Sequence, residues 1–344
     1  MRHFAMEFSF SSLELTLNTP FRIAHGTSTT RTNVLLRFGD GVGEGALPPY
    51  YPWRFDEVRA YLEAIDPDRL LGKDPLALED ALDRLPPGPA PAHSAIDLAL
   101  HDHWGKQLGL PLYCLWGLSP TQAPPTSITL SIPEQLDDLP HTIQAFDGFP
   151  ILKLKLGTGS LERDEAIVRT AREVTDAQLC VDANSAWSIE DAARIIPRLA
   201  RYDLLFIEQP LPPDTHDAWR QLRRRLPDKV PPLIADESIQ TAADVLALAD
   251  IVDGINLKLT KAGGLRATRR LMSLARALNL KVMLGCMIES SVALTAAAHL
   301  APLADFADLD SYLHLADDPF DGVTVEQGRL VLPDRPGLGI VDRL

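Results

Sequence analysis

Several short apolar runs in this chain end in a charged residue. ILKLKLG carries Lys153 and Lys155, QLCVDAN reaches Asp182, LLFIEQP reaches Glu208, PLIADES reaches Asp236, GINLKLT reaches Lys258, and FADLD closes on Asp308 and Asp310. One charged residue at the end of one apolar run is ordinarily a loop solubiliser or a helix cap. An ordered set of three carboxylates flanked by lysines is harder to explain that way. Gathered in one cavity, Asp182, Glu208 and Asp236 carry a charge density that calls for a cation. Carboxylate oxygens without His or Cys select a hard ion, so the set predicts Mg2+, one per site. Such an ion beside amines suits removal of the proton next to a carboxylate, because the resulting enediolate needs Lewis-acid stabilisation. A lysine at its reference pKa of about 10.4 is protonated at neutral pH, and Lys153, on the same strand face as Lys155, is a neighbouring cation that favours the neutral amine. Proton transfer is therefore expected from Lys155, support from Lys153, and opposite-face acid or base action from Lys258.

These residues need elements that bring them together. From TSITLSI onward, short β-branched or apolar runs alternate with helical patterns, giving eight candidate strands, the last two being KVMLGCM and FADLD. Regular strand and helix alternation predicts a parallel sheet, and its regular recurrence favours a closed barrel, whose active sites form at the C-terminal strand ends. Ser188 with Asp191 and Thr241 with Asp244 are helix-start signals between those strands. No Gly-x-Gly-x-x-Gly follows any of the runs, which argues against a dinucleotide fold. The earlier part reads as a small α+β lobe. Strands are expected over Ser11–Leu17 and Asn33–Phe38, a Gly-rich turn over Gly39–Gly45, and helices over Asp56–Ala64 and Ala92–Gln107.

Composition narrows the function classes. The 344 residues are 46% hydrophobic with a formal net charge of −14, which disfavours a nucleic-acid partner. Three cysteines, Cys114, Cys180 and Cys286, show no C-x-x-C spacing, so no disulfide framework or zinc cage is indicated and a cytoplasmic location is expected. No export signal or membrane span is expected. The sequence leaves open whether the chain forms a homo-oligomer.

As an ordered set, Lys153-Leu154-Lys155, Val181-Asp182-Ala183-Asn184, Ile207-Glu208-Gln209-Pro210, Ala235-Asp236-Glu237-Ser238 and Asn256-Leu257-Lys258 resemble the muconate-lactonizing subgroup of the enolase superfamily. The resemblance implies a modified (β/α)7β TIM-type barrel over residues 125–314, an N-terminal α+β capping domain over 1–124, and a tail over 315–344 returning to the cap. Mandelate racemase-type relatives carry a catalytic His where Cys286 stands. Asp308-Leu309-Asp310 is similar to the Asp-x-Asp motif with which dipeptide epimerases hold the substrate ammonium group. The resemblance thus implies an Mg2+-dependent dipeptide epimerase that inverts the α-carbon of the C-terminal residue through an enediolate. The alternatives are an N-acylamino acid racemase, an o-succinylbenzoate synthase, a muconate cycloisomerase, or a barrel that only binds a metal and carboxylate ligand.

Side-chain specificity in this family comes partly from a mobile loop, here Phe21–Thr32. The arginine that reads glutamate in L-Ala-D/L-Glu epimerases is replaced by His25 or Gly26, so a non-acidic dipeptide is expected, hydrophobic if Tyr50, Tyr51 and Trp53 are near. The orientations of Arg22 and Arg31 are open at this point. Lys261, three residues past Lys258, is expected off the inward face and in a loop. Asn184 is expected to orient a metal ligand, Glu237 and Glu289 to pair with a lysine behind the site or to line it, and Cys286 to be a pocket or core residue.

Overall fold

The computed structural model describes residues 8–71, 77–213 and 216–343. Eight parallel strands form its centre: β4 (Ile128–Leu130), β5 (Ile151–Lys155), β6 (Gln178–Asp182), β7 (Leu204–Glu208), β8 (Leu233–Ala235), β9 (Gly254–Leu257), β10 (Lys281–Gly285) and β11 (Phe306–Asp308). Each pairs with its neighbour in chain order, and a bridge between Thr126 and Ala307 closes the first strand on the last. This is the expected barrel. Its strands are short and β-branched or leucine-rich, and most are buried on both faces, as helices cover the outside. The helices start where the sequence places caps: the Ser188 hydroxyl accepts from the amide of Asp191, and Thr241 forms a reciprocal capping box with Asp244.

Before the barrel, three antiparallel strands precede a group of helices: β1 (Phe8–Ile23), β2 (Gly26–Phe38) and β3 (Gly41–Gly45). Two corrections arise here. The segment expected as a mobile loop over Phe21–Thr32 is the far end of a long β1–β2 hairpin, paired as far as Ile23 and Gly26. Gly39–Gly45, expected as a turn, holds a buried strand instead. Its glycines face the helix Ala90–Leu108, and a Cβ on Gly43 would stand 2.0 Å from the carbonyl oxygen of Ala95. Glycine is needed there for backbone-to-backbone approach rather than for a turn.

The strand lobe sits on the barrel through buried polar joints. The Glu44 carboxylate accepts from Asn33, from the amides of Ser290 and Ala293, and from the Ser290 hydroxyl, at the start of the helix Ser291–Leu300. A carboxylate is favourable at a helix N-terminus. Asn33 also donates to the Ile288 carbonyl in the segment after β10. Side chains alternate along β2, so Arg31 lies on the same face as Asn33, above the barrel mouth. No described helix is long and apolar enough to cross a membrane.

Candidate active site

At the C-terminal ends of β6, β7 and β8, Asp182, Glu208 and Asp236 each offer a carboxylate oxygen, and these lie within 4.8 Å of one another. All three side chains are fully buried. Parallel pairing places Asp182 level with Lys155 on one side and with Glu208 on the other. The lysines close the arc: Lys155 Nζ is 2.7 Å from Asp182 Oδ2, and Lys258 Nζ is 2.8 Å from Asp236 Oδ2. Lys155 and Lys258 therefore stand on opposite flanks of the carboxylates and line one pocket with Asn184, Asp308 and Asp310.

Lys153 lies deeper, 2.7 Å from both Glu208 Oε2 and Asp308 Oδ2 and 3.4 Å from Asp182 Oδ2. Burial pulls its pKa down, but the three carboxylates outweigh that and hold it well above the usual lysine value. It is thus a fixed cation. Burial likewise opposes the charge on Lys258, and Asp236 with Tyr50 and Glu208 reverses the effect and raises its pKa. Glu208 is pushed up to about 8, first by burial and then by Asp182. Asp182 and Asp236 move down despite burial, because lysines face each of them.

The donor set fits a dication. Glu208 Oε2 and Asp236 Oδ2 are buried, and each meets an ammonium, Lys153 at 2.7 Å and Lys258 at 2.8 Å, so cations already gather where these oxygens converge. Oxygen-only ligands suit Mg2+. The remaining oxygens are fixed from behind: Asn256 donates to Glu208 Oε1 at 2.7 Å, the Lys261 ammonium donates to Asp236 Oδ1, and the Asn184 amide donates to Asp182 Oδ1 at 2.8 Å. Orientation by such neighbours is typical of metal ligands.

Lys261 departs from expectation. It is not in a loop but on the helical turn Leu259–Ala262, 3% exposed, with its ammonium against the Asp236 carboxylate and backbone carbonyl. The turn after β9 folds it back, which residue spacing along a strand cannot show. Burial lowers its pKa, against the pull of Asp236. Glu237 and Glu289 have no ion pair with a lysine among the described residues: Glu237 accepts from Asn184, and Glu289 from Thr260 and the Met287 amide.

Asp308 and Asp310 both line the pocket, but only Asp308 belongs to β11; Asp310 falls in the turn that follows. His314, absent from the sequence expectations, contacts Asp310 at 3.2 Å. Of the hairpin residues, Ile23, Phe21 and Arg31 reach the pocket. Arg22 faces a separate groove with Gly26, near Glu134. Gly26 is at the hairpin turn with φ +125°, a conformation that favours glycine, and it is away from the lysines. His25 stacks on Tyr50, ring centroids 4.7 Å apart, with Nε2 3.9 Å from Glu237. Tyr50 is on the pocket wall, while Tyr51 stacks on Trp53 behind it. Cys286 is on the wall, its thiol raised by burial and by Asp310.

Residues 140–342 match the enolase C-terminal domain-like family, and residues 7–117 match the mandelate racemase/muconate lactonizing enzyme N-terminal domain. An L-Ala-D/L-Glu epimerase of Bacteroides thetaiotaomicron is 37% identical, over 98% of this chain and 88% of that protein. A hydrophobic dipeptide epimerase of Roseobacter litoralis is 41% identical over 73% of this chain and 74% of its own length. The structure of a dipeptide epimerase from Cytophaga hutchinsonii, complexed with Mg and the dipeptide D-Ala-L-Val, superposes with a TM-score of 0.86 at 28% identity, covering 97% of this chain and 95% of that one. With both halves matched and the barrel closed as the motifs require, the chain belongs to the mandelate racemase/muconate lactonizing enzyme family of the enolase superfamily.

Proposed function

We propose that the chain is an isomerase, an Mg2+-dependent dipeptide epimerase that inverts the α-carbon of the C-terminal residue by 1,1-proton transfer. One observation carries this: two lysines from strands four apart flank a buried carboxylate triad, and aspartates with no metal to hold stand across the same pocket. Asp182, Glu208 and Asp236 would hold Mg2+, which when bound supplies Lewis-acid stabilisation for the substrate carboxylate. Lys155 and Lys258 exchange the α-proton on opposite faces of the carbon, one taking and the other giving. Lys153 stays protonated and balances the acidic cluster. Asp308 with Asp310 offers the negative charge that an α-ammonium requires, as a wholly anionic substrate does not.

The dipeptide relatives support the substrate class, and the pocket wall supports apolar side chains, since Phe21, Ile23, Met287 and Ile288 line it. Arg31 favours a second specificity. It reaches the same wall, hydrogen-bonds only the Thr30 carbonyl, and has no ion pair among the described residues, so an acidic side chain would meet an unpaired guanidinium. A cytoplasmic site of action is in keeping with three free cysteines. Incubation with Mg2+ in D2O tests the proposal: suitable L,L-dipeptides should gain deuterium at the C-terminal α-carbon and yield the L,D epimer. No exchange across a broad dipeptide library would refute it.

A further inference from the structure

Asp236 is held by two lysines that stand on different sides of it. Lys258 Nζ meets Oδ2 at 2.8 Å and lines the pocket. Lys261, on the turn Leu259–Ala262 that follows β9, puts its ammonium on Oδ1 and is not among the lining residues. The same ammonium donates to the Asp236 carbonyl oxygen and, at 3.3 Å, to the Asn256 carbonyl oxygen. An ammonium has three N–H donors, so the side chain is anchored through all of them. At 3% exposure it is closed off from a substrate in the pocket.

A matching pair stands across the carboxylate cluster. Asp182 Oδ2 meets Lys155 at 2.7 Å and Lys153 at 3.4 Å. Each lysine assigned to proton transfer thus shares its carboxylate with a second, buried lysine. In each case the second is the more firmly anchored, Lys153 by Glu208 and Asp308 and Lys261 by two backbone carbonyls. Lys261 also ties two of the acidic residues together. Asn256, whose carbonyl it holds, donates its side-chain amide to Glu208 Oε1 at 2.7 Å, and Gln209, next to Glu208, accepts from the Asp236 amide at 2.8 Å. The backbone and Oδ1 of Asp236 are therefore fixed from behind, and Oδ2 is left on the pocket side.

Resting on the Mg2+ site of the proposed epimerase, we infer that Lys261 is the positioning residue of Asp236, holding Oδ1 so that Oδ2 is the oxygen offered to the ion. Lys258, by contrast, competes with the ion for that oxygen. The two lysines therefore act on metal binding with opposite signs. Loss of Lys258 removes a competing cation. Loss of Lys261 also removes a like charge, which by itself favours the ion, but it frees the carboxylate to turn. Losing a partner that orients a metal ligand weakens binding about tenfold to a hundredfold, so the orienting effect is the larger. Lys261 touches no reacting atom.

Mn2+ binding to the substrate-free protein, read from the electron paramagnetic resonance of the unbound ion, tests this without turnover. Lys258→Met should bind Mn2+ as tightly as the parent or more so, and Lys261→Met about tenfold or more weakly. Lys261→Gln, which keeps N–H donors for Oδ1, should recover part of that loss and stay about threefold or more weaker than the parent. Binding by Lys261→Met that equals or exceeds the parent's overturns the inference; should Lys261→Met not fold, the same result in Lys261→Gln does so. A loss in Lys258→Met as large as that in Lys261→Met overturns it as well. The unaltered protein separates the two levels. If it binds no Mn2+, the metal site falls and the inference with it, whereas normal binding together with any of those variant results defeats only the role of Lys261. Deuterium exchange into dipeptides judges the epimerase proposal independently of both.

Discussion

Replacing Lys153 by methionine removes one ammonium and leaves three carboxylates around the space it filled. At an effective dielectric constant of about 20, each 2.7 Å contact is worth about 6 kcal/mol of gross attraction and the 3.4 Å contact about 5 kcal/mol. Most of that offsets the cost of burying the four charges, so the net loss follows the rule for breaking a buried pair, about 3–5 kcal/mol. The molecule has one way to limit the damage. Glu208, already pushed up to about 8 by burial and by Asp182, protonates further when the lysine is gone. Lys153→Met should therefore be less costly at pH 5.5 than at pH 8.5. A divalent ion should compensate the same carboxylates, so Mg2+ should raise the urea midpoint of the variant more than that of the parent. Urea denaturation at the two pH values, with and without Mg2+, reads all three effects. Asp308→Asn in the same background should recover part of the loss, because it removes one of the stranded charges. A metal-free variant as stable as the parent at pH 8.5 would refute the picture of Lys153 as the cation that balances the cluster.

Three further outcomes are expected. Lys155→Ala and Lys258→Ala should each stop epimerisation, with losses of about 10²-fold or more, while each still exchanges deuterium into only one epimer through the lysine that remains; equal exchange into both epimers would show that the two are not on opposite faces. Arg31→Leu should cost an acidic dipeptide such as L-Ala-L-Glu about tenfold to a hundredfold in kcat/KM and leave L-Ala-L-Leu unaffected, and a uniform loss would mean that Arg31 does not face the side chain. His299 is buried as a neutral ring, its Nδ1 accepting from the Tyr113 amide and its Nε2 donating to the Leu338 carbonyl, and burial brings its pKa down to about 4. Because the folded value lies below the unfolded one near 6.5, this stabilisation is complete above about pH 6.5 and is lost as pH falls towards 4, by about 3 kcal/mol in all. The difference in urea midpoint between the parent and His299→Gln should accordingly shrink from pH 7 to pH 4.5, and a constant difference would contradict the buried neutral ring.

The barrel was legible because its strands are short apolar runs ending in charge, a pattern that survives without knowledge of pairing. The carboxylate cluster was legible for the same reason: each of its three residues stands at the C-terminal end of its own strand. Gly41–Gly45 was not, since glycine carries no strand signal and the cause of the strand is the helix backbone pressed on it. Lys261 was misplaced and His314 missed for a shared reason. Both lie beyond a strand end on a short helical turn, which carries Lys261 to Asp236 at the end of the neighbouring strand and His314 back over Asp310, and strand periodicity cannot project those directions. Arg31 needed the hairpin register: only its pairing with Leu15, on the strand that also brings Phe21 and Ile23 to the pocket, tells which face of β2 it occupies.

Growing crystals of the protein with Mn2+ in place of Mg2+ and recording anomalous scattering tests the central claim most directly. One peak per chain, within bonding distance of Asp182, Glu208 and Asp236 and lost in Glu208→Gln, is the predicted result. A saturating ion found elsewhere, or none at all while the unaltered enzyme still turns over a dipeptide, would contradict it.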